Sequence, residues 1–435
     1  MSKNKRCNTR WSAQRSDTRS AELPKIPELL APAGNLEKLV TAIHYGADAV
    51  YLAGRQLSLR AKAGNFSAEE MADGVAFAHN RGKKVYVAVN VLAHNSDFAE
   101  LDTYLHRLRR CGVDGVIVSD PGVLSVARRV IPEIPLHLST QANVTNAAAA
   151  EFWLQQGVKR LNVARELSLE EISTIKQQVD GEIEVFVHGA LCISYSGRCM
   201  LSNYLNGRDA NRGNCAHPCR YSYSLIEEKR PGQYFPVEED ERGTYIFNAK
   251  DLCLLRMLPQ LIVAGADSLK IEGRMKSIFY VGGVVRLYRA ALDYLAGLPA
   301  EDWQKPEEIV LPAHFFEEIE KTGTRGMSEN FFNQAPTGED MLYATSRADQ
   351  RIEPVAVVRE QGEAPLVEIR NRVEVGEQLE YMGRGVVLQP VRVTAMITEK
   401  DTSMSAANPG NNVFLQTEPP LHDCERHGIL RRKKT

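Results

Sequence analysis

Apolar and polar positions follow two periods along this chain, and the change of period divides it. From Ile26 onward, short apolar runs of strand length alternate with amphipathic stretches of helical period. ELLAPAG (28–34) predicts a strand, and NLEKLVTAIHYGA puts Leu36, Leu39, Val40 and Ile43 on one helical face. DAVYLAG follows as a strand. SAEEMADGVAFAHNRG is then a helix, with Ser67 as N-cap and Glu70 completing a capping box. The helix-to-strand junctions YGADAVYL, CGVDGVIV, QGVKRLNV and AGADSLKI echo one another, each with a glycine closing the helix. Strands starting at Glu28, Asp48, Lys84, Asp114, Pro135, Arg160, Ile183 and Asp267 predict eight βα units. The fold class expected is α/β, a TIM-like (β/α)8 barrel over 26–298 carrying a cysteine-rich insertion at 192–253.

SIFYVGGVVRLYRAALDYLAG predicts a long closing helix, and 299–351 reads as a linker packing on the barrel, with a short helix in LPAHFFEEIEKTGTRG. Beyond Ile352 the period shortens. EPVAVVRE, PLVEIRNRV, EQLEYMG, VVLQPVRVTAMI and NNVFLQTE, separated by turn signals, predict a small all-β barrel over 352–420. The remaining 421–435, ending ERHGILRRKKT, reads as a mobile basic tail, and 1–25 as a disordered basic one. Because the first barrel has its own repeat, a chain ending near Ile352 is expected to fold.

Composition narrows the classes of function. The 435 residues are 43% hydrophobic and 25% charged, with a formal net charge of -2, which argues against bulk electrostatic capture of nucleic acid but not against a local basic face. No apolar run approaches the roughly 18 residues of a membrane-spanning helix. The first 25 residues hold Lys3, Lys5, Arg6, Arg10, Arg15 and Arg19 without an apolar core, so no secretory signal is expected and the cytoplasm is the expected location. There, cysteines read as thiols or metal ligands rather than disulfides.

Five of the eight cysteines fall between Cys192 and Cys253, spaced C-x6-C-x15-C-x3-C-x33-C. A zinc ribbon would show two C-x2-C knuckles, and this pattern has none. The spread fits an iron–sulfur cluster held by Cys192, Cys199, Cys215 and one or both of Cys219 and Cys253. Cys7, Cys111 and Cys424 read as ordinary small hydrophobes.

Polar side chains end several of the strands. They are Asn90, His137 and Gln141, Arg165 and Glu166, His188 ahead of the cysteine loop, and Glu272 with Arg274 in KIEGR. A lone strand histidine is usually a satisfied core residue, but barrels of this class place their chemistry at strand carboxyl ends. His137, His188, Glu272 and Arg274 are therefore the catalytic candidates.

EVFVHGALCISYSGRCMLS resembles the signature of the collagenase-like peptidase family, and the resemblance runs from ELLAPAG to KIEGRMKS. It implies iron–sulfur proteins of oxygen-independent hydroxylation, acting on tRNA, ribosomal RNA or ubiquinone precursors rather than on peptides. The family's ligand pattern falls on Cys192, Cys199, Cys215 and Cys253, which implies a 4Fe-4S cluster and leaves Cys219 outside it. A barrel followed by a small β-barrel is similar to the tRNA-modifying branch, which implies 5-hydroxylation of the wobble uridine in the anticodon loop with prephenate as co-substrate. Prephenate is a dicarboxylate, so Arg60, Arg165, Arg274 and Gln141 become the candidates for holding it. Tyr195 and Tyr204, flanking Cys199, are candidates to stack on a splayed base.

Two other classes stand beside this reading. A peptidase finds little support, since the chain has no HExxH and no G-x-S-x-G, though a Cys192–His188 dyad is conceivable. A non-catalytic RNA adaptor would need only the β-barrel and the basic termini. Absorbance near 400 nm with acid-labile sulfide in anaerobically purified protein separates both from the redox enzyme.

Overall fold

The computed structural model describes residues 23–55, 57, 65–190, 250–323, 326–333 and 352–434, and between 202 and 245 only 202, 206, 208, 216, 224–226, 234–236, 238–240 and 243–245. Eight strands close the first barrel: β1 (Glu28–Pro32), β2 (Ala49–Leu52), β3 (Lys84–Val89), β4 (Gly115–Val118), β5 (Leu136–Leu138), β6 (Arg160–Asn162), β7 (Glu182–Gly189) and β8 (Ser268–Ile271). All neighbours are parallel, and β8 pairs with both β7 and β1, so the ring has no free edge. The helices between them bury one face each. Ala68–His79, for example, starts in the Ser67–Glu70 capping box and buries Met71, Val75 and Ala78.

The insertion returns to this sheet. Its last strand, Asp251–Cys253, pairs antiparallel with the end of β7, Leu252 opposite Gly189 and Cys253 opposite His188. The rest of the barrel's cover comes from the helix Ile278–Ala296, buried along most of its length, with Ala313–Thr322 packed on it through Phe315 and Ile319.

The carboxyl-terminal domain is a closed antiparallel barrel of six strands: β9 (Ile352–Glu360), β10 (Leu366–Ile369), β11 (Gln378–Met382), β12 (Gln389–Thr398), β13 (Asn412–Glu418) and β14 (Ile429–Lys433). Around the ring the order is β11, β14, β9, β10, β13, β12 and back to β11. This corrects the expected mobile tail at 421–435. Ile429 and Leu430 are fully buried, and β14 is hydrogen-bonded on both sides, to β9 and to β11. Its basic composition misleads because Arg431, also fully buried, is neutralised by Glu318 and Glu380.

The two barrels are less separable than their periods suggest. Ile352, Val357, Met382 and Ile429 belong to the same apolar core as the first barrel. The Tyr45 hydroxyl donates to the Met382 carbonyl at 2.7 Å and accepts from the Ile429 amide at 3.1 Å. A cut near Ile352 would open that core, so the expectation of an independently folding first barrel is not supported by the packing.

Candidate active site at the barrel mouth

The barrel is filled with charge where an apolar core would be the simpler solution. Inward side chains stack in layers drawn from alternate strands, as closed eight-stranded barrels do. Leu30, Tyr86, His137 and Glu184 occupy one layer, with Tyr51, Ile117, Asn162 and Lys270 above it, nearer the carboxyl ends. Glu184 is 2% exposed and accepts from Lys270 Nζ at 2.6 Å and Asn162 Nδ2 at 2.8 Å. Below it Arg160 donates to Glu28 at 2.6 Å and to Glu182 at 2.7 Å, and Tyr86 donates to Glu28 at 2.8 Å. Buried ions are tolerated when each is matched and hydrogen-bonded, and here each is. Lys270 also lies 4.6 Å from the Tyr51 ring centre and 5.4 Å from that of Phe186.

This matched floor supports the mouth. Glu272 leaves β8, and its carboxylate accepts from the Tyr51 hydroxyl at 3.1 Å, a proton shared with the Ile271 carbonyl at 3.0 Å. Arg274, two residues on, is 4% exposed and donates from Nη2 to Asn65 Oδ1 at 2.7 Å. Arg165 lies flat over Phe186, 3.9 Å from the ring centre, and donates to the Ala190 carbonyl at 2.9 Å. Its Nε is buried with no hydrogen-bond partner among the described residues. Burial raises the Tyr51 phenol well above its ordinary pKa, and Glu272 adds to this while Arg274 and Arg165 act the other way. One phenol thus stands in the field of one carboxylate and two guanidinium groups. Asn90, Ser139 and Gln141 form a polar ledge beside them, Asn90 donating to Ser139 at 3.3 Å and Ser139 to Gln141 at 3.4 Å.

Two glycines allow this packing. A Cβ on Gly34 would collide with the Arg274 carbonyl, and one on Gly189, whose φ is +110°, would meet the Glu272 carbonyl at 2.5 Å. The glycines of ELLAPAG and EVFVHGAL are therefore close-approach positions that set where β8 delivers Glu272 and Arg274.

Around Tyr51 the structure brings together Glu272, Arg274 and Arg165 from among the expected site residues, with Gln141 just beyond the end of β5. It takes two histidines away. His137 lies in the barrel interior, edge-on to Tyr86 at 4.6 Å between ring centres, because β5 ends a residue later and its side chain falls in the central layer. Burial keeps it neutral, its pKa well below the ordinary value. His188 follows a shift of register between β7 and β8 and faces the outer layer. There its ring meets Tyr280 and Tyr288, and burial lowers its pKa to about 4. Neither histidine is a mouth residue. Tyr51, Asn65 and Phe186 are, and sequence reading passed over them. Tyr51 is the penultimate residue of the apolar strand Ala49–Leu52, and Asn65 sits in an irregular stretch with no periodic signal.

Of the four expected cluster ligands, Cys253 alone is among the described residues; Cys192, Cys199, Cys215, Arg60, Tyr195, Tyr204 and also Cys219 lie outside them. Cys253 is half-buried, its Sγ 3.9 Å from the Tyr288 hydroxyl, and burial raises its thiol pKa. It pairs with His188, at the carboxyl end of the strand that leads into the stretch holding Cys192. The half-buried Cys253 thiol at the carboxyl end of β7, on the mouth side of the barrel, suits a metal ligand there.

Residues 34–342 match Peptidase family U32, and residues 350–431 match the Peptidase family U32 C-terminal domain. The chain belongs to peptidase family U32. This U32 member is 42% identical over 365 residues to tRNA hydroxylation protein P1 of Bacillus subtilis, covering 83% of this chain and 84% of that one. It is 39% identical over 404 residues to tRNA hydroxylation protein P of Escherichia coli, covering 82% and 86%. The 23S rRNA 5-hydroxycytidine C2501 synthase of Escherichia coli is 36% identical over 310 residues, 70% of this chain but 45% of that protein. No helix among the described residues is long and apolar enough to cross a membrane.

Proposed function

We propose that this chain is an RNA-modifying hydroxylase that acts on tRNA, placing oxygen at C5 of the wobble uridine with prephenate as co-substrate and without molecular oxygen. RNA as the substrate class is supported by what the similar U32 proteins are named for. The observation that carries tRNA over ribosomal RNA is the extent of the likeness. It runs through 84% and 86% of the two tRNA hydroxylation proteins, but through less than half of the ribosomal RNA enzyme.

In this reading Cys192, Cys199, Cys215 and Cys253 hold a 4Fe-4S cluster, which supplies one-electron redox chemistry when bound. The chain's own groups do the rest. Arg274, braced by Asn65, and Arg165, braced by Phe186 and Ala190, offer two planar forks that suit the two carboxylates of prephenate. Glu272 can take a proton from a reacting group at the mouth, with the Tyr51 hydroxyl steadying its carboxylate. Gln141 and Asn90 supply neutral donors and acceptors on the facing wall, and Asn90 Oδ1 has no hydrogen-bond partner among the described residues.

The peptidase reading is weaker on the same geometry. It needs a histidine next to a nucleophile in the mouth, and both His137 and His188 are buried, neutral and turned elsewhere. Nucleoside mass spectrometry of bulk tRNA from cells lacking this gene tests the proposal. Wobble 5-hydroxyuridine derivatives should vanish and return with the gene. Unchanged levels, in a strain with no second route, would end the tRNA assignment.

A further inference from the structure

At the opposite end of the first barrel from the mouth, a cleft of about 960 Å³ opens against the carboxyl-terminal domain. Its barrel wall is the end of the helix Leu36–His44 and the turn entering β3, and its other wall is the turn after β11 and the segment entering β14. Four lining side chains are cationic, Arg81, Lys83, Arg384 and Arg426, against a single acid, Glu425. In a chain whose formal net charge is -2, that is a strong local excess.

Two of the four cations are paired with carboxylates and two are not. Lys83 pairs with Asp48 at 3.0 Å and Arg384 with Glu425 at 2.7 Å, but neither Arg81 nor Arg426 meets a carboxylate among the described residues. Arg81 is instead held flat over Phe77, 3.6 Å from the ring centre, with its Nη1 on the Phe77 carbonyl. That leaves the outer edge of a pre-oriented guanidinium toward the cleft.

A buried imidazole on the barrel wall points to a ligand. His44 is 7% exposed and lines the cleft, and its Nε2 has no hydrogen-bond partner among the described residues. An orphaned buried ring nitrogen normally finds a partner or a water. His427 stands on the opposite wall, with a left-handed φ of +76° that histidine adopts more readily than most residues.

We infer that this cleft is a second anchor for the substrate RNA, gripping backbone phosphates at a distance from the base that enters the mouth. The inference rests on the RNA reading above. A polymer suits the site better than a small phosphorylated molecule. The Arg384 side chain is 62% exposed and stands at an open rim, whereas pockets for small ligands enclose them. The cleft and the mouth lie at the two ends of the six-residue β3, a span of roughly 20 Å, within reach of a stem-loop. Burial lowers the pKa of His44 to about 3 and of His427 to about 4, so the arginines and the lysine supply the charge at neutral pH.

The test uses the full-length, cluster-loaded protein and fluorescently labelled tRNA, with anisotropy measured across a salt series. In Arg384→Gln/Arg426→Gln, affinity should fall about tenfold at 0.1 M salt. The slope of log K against log salt should become shallower by about 1.5, since each lost phosphate contact removes roughly 0.7–0.9. The paired Arg384→Lys/Arg426→Lys should keep the slope, and Arg372→Gln on the far side of the small barrel should change nothing. Wild type that binds tRNA, with the double Gln variant binding equally well, overturns the anchor and leaves the RNA reading standing. Wild type that does not bind tRNA removes both. Inorganic phosphate binding that the double variant abolishes while tRNA affinity is unchanged would make the cleft a small-anion site and also overturn the anchor.

Discussion

Arg431 and Glu318 meet across the domain boundary, the Arg431 Nη2 donating to Oε1 at 3.1 Å and lying 2.9 Å from Oε2. Arg286, from the helix behind the barrel, donates to the same carboxylate at 3.1 Å, and both arginines are fully buried. Glu318 is thus shared by two guanidinium groups that have no access to water, Glu380 helping only Arg431. Removing it leaves charge stranded, which costs about 3–5 kcal/mol at such sites. Glu318→Gln should lower the urea midpoint of the whole chain by a corresponding amount, whereas Lys305→Gln, in an exposed pair with Glu308, should not. Equal midpoints for the two variants would show that the triad contributes little.

The same carboxylate gives a pH dependence with a definite sign. Burial alone would raise the Glu318 pKa, but Lys321, Arg431 and Arg286 together hold it below the ordinary value. A lowered folded-state pKa contributes stability at pH values above the unfolded carboxyl's, about 4.3, and that stability is lost as pH falls through the folded value. Wild type should thus lose urea resistance on acidification below about pH 4 more steeply than Glu318→Gln does. Parallel losses in both would contradict this.

The fold was legible because its signals are local and repeated. Four echoing glycine-closed junctions, and apolar strands alternating with amphipathic helices between them, mark eight units whether or not their contacts are known. What composition hid was a charged strand. ILRRK reads as a basic tail unless one knows that Glu318, over a hundred residues away, waits for Arg431. The mouth was half legible for a related reason. Polar residues at strand ends lead to the mouth, and Glu272, Arg274 and Arg165 stand there. A one-residue difference in where β5 ends, and a register shift beside β7, turn His137 inward and His188 outward. Tyr51 looked like one more apolar strand residue, and Asn65 lies on no periodic element at all.

Tyr51 gives the next prediction. Its pKa is raised by burial, so it stays a neutral donor to Glu272 through the working pH range. Tyr51→Phe keeps the ring against Lys270 and removes only the hydroxyl. Turnover should fall about tenfold with the thermal midpoint nearly unchanged, and no alkaline limb below pH 10 should be traceable to this residue. Full activity in Tyr51→Phe would take the hydroxyl out of the chemistry.

Arg274 tests the carboxylate site. Arg274→Lys keeps the charge but loses the fork that Asn65 braces, so the KM for prephenate should rise tenfold or more while iron content stays constant. A normal KM would move the co-substrate elsewhere.

The cysteines separate by metal content. Replacing Cys192, Cys199, Cys215 or Cys253 by Ala should remove iron from anaerobically purified protein, and Cys219→Ala should keep it. Iron retained by Cys253→Ala and lost by Cys219→Ala would reverse the ligand assignment.

The central claim is hydroxylation of tRNA through this mouth, and one experiment meets it directly. A deletion strain with no second hydroxylation route is grown without oxygen and complemented with wild type, Cys253→Ala or Arg274→Lys, and the wobble 5-hydroxyuridine derivatives in its tRNA are quantified by mass spectrometry. The account predicts full restoration by wild type, none by Cys253→Ala, partial restoration by Arg274→Lys, and none by any of them when the cells cannot make prephenate. Restoration by Cys253→Ala, or by wild type in cells without prephenate, would contradict it.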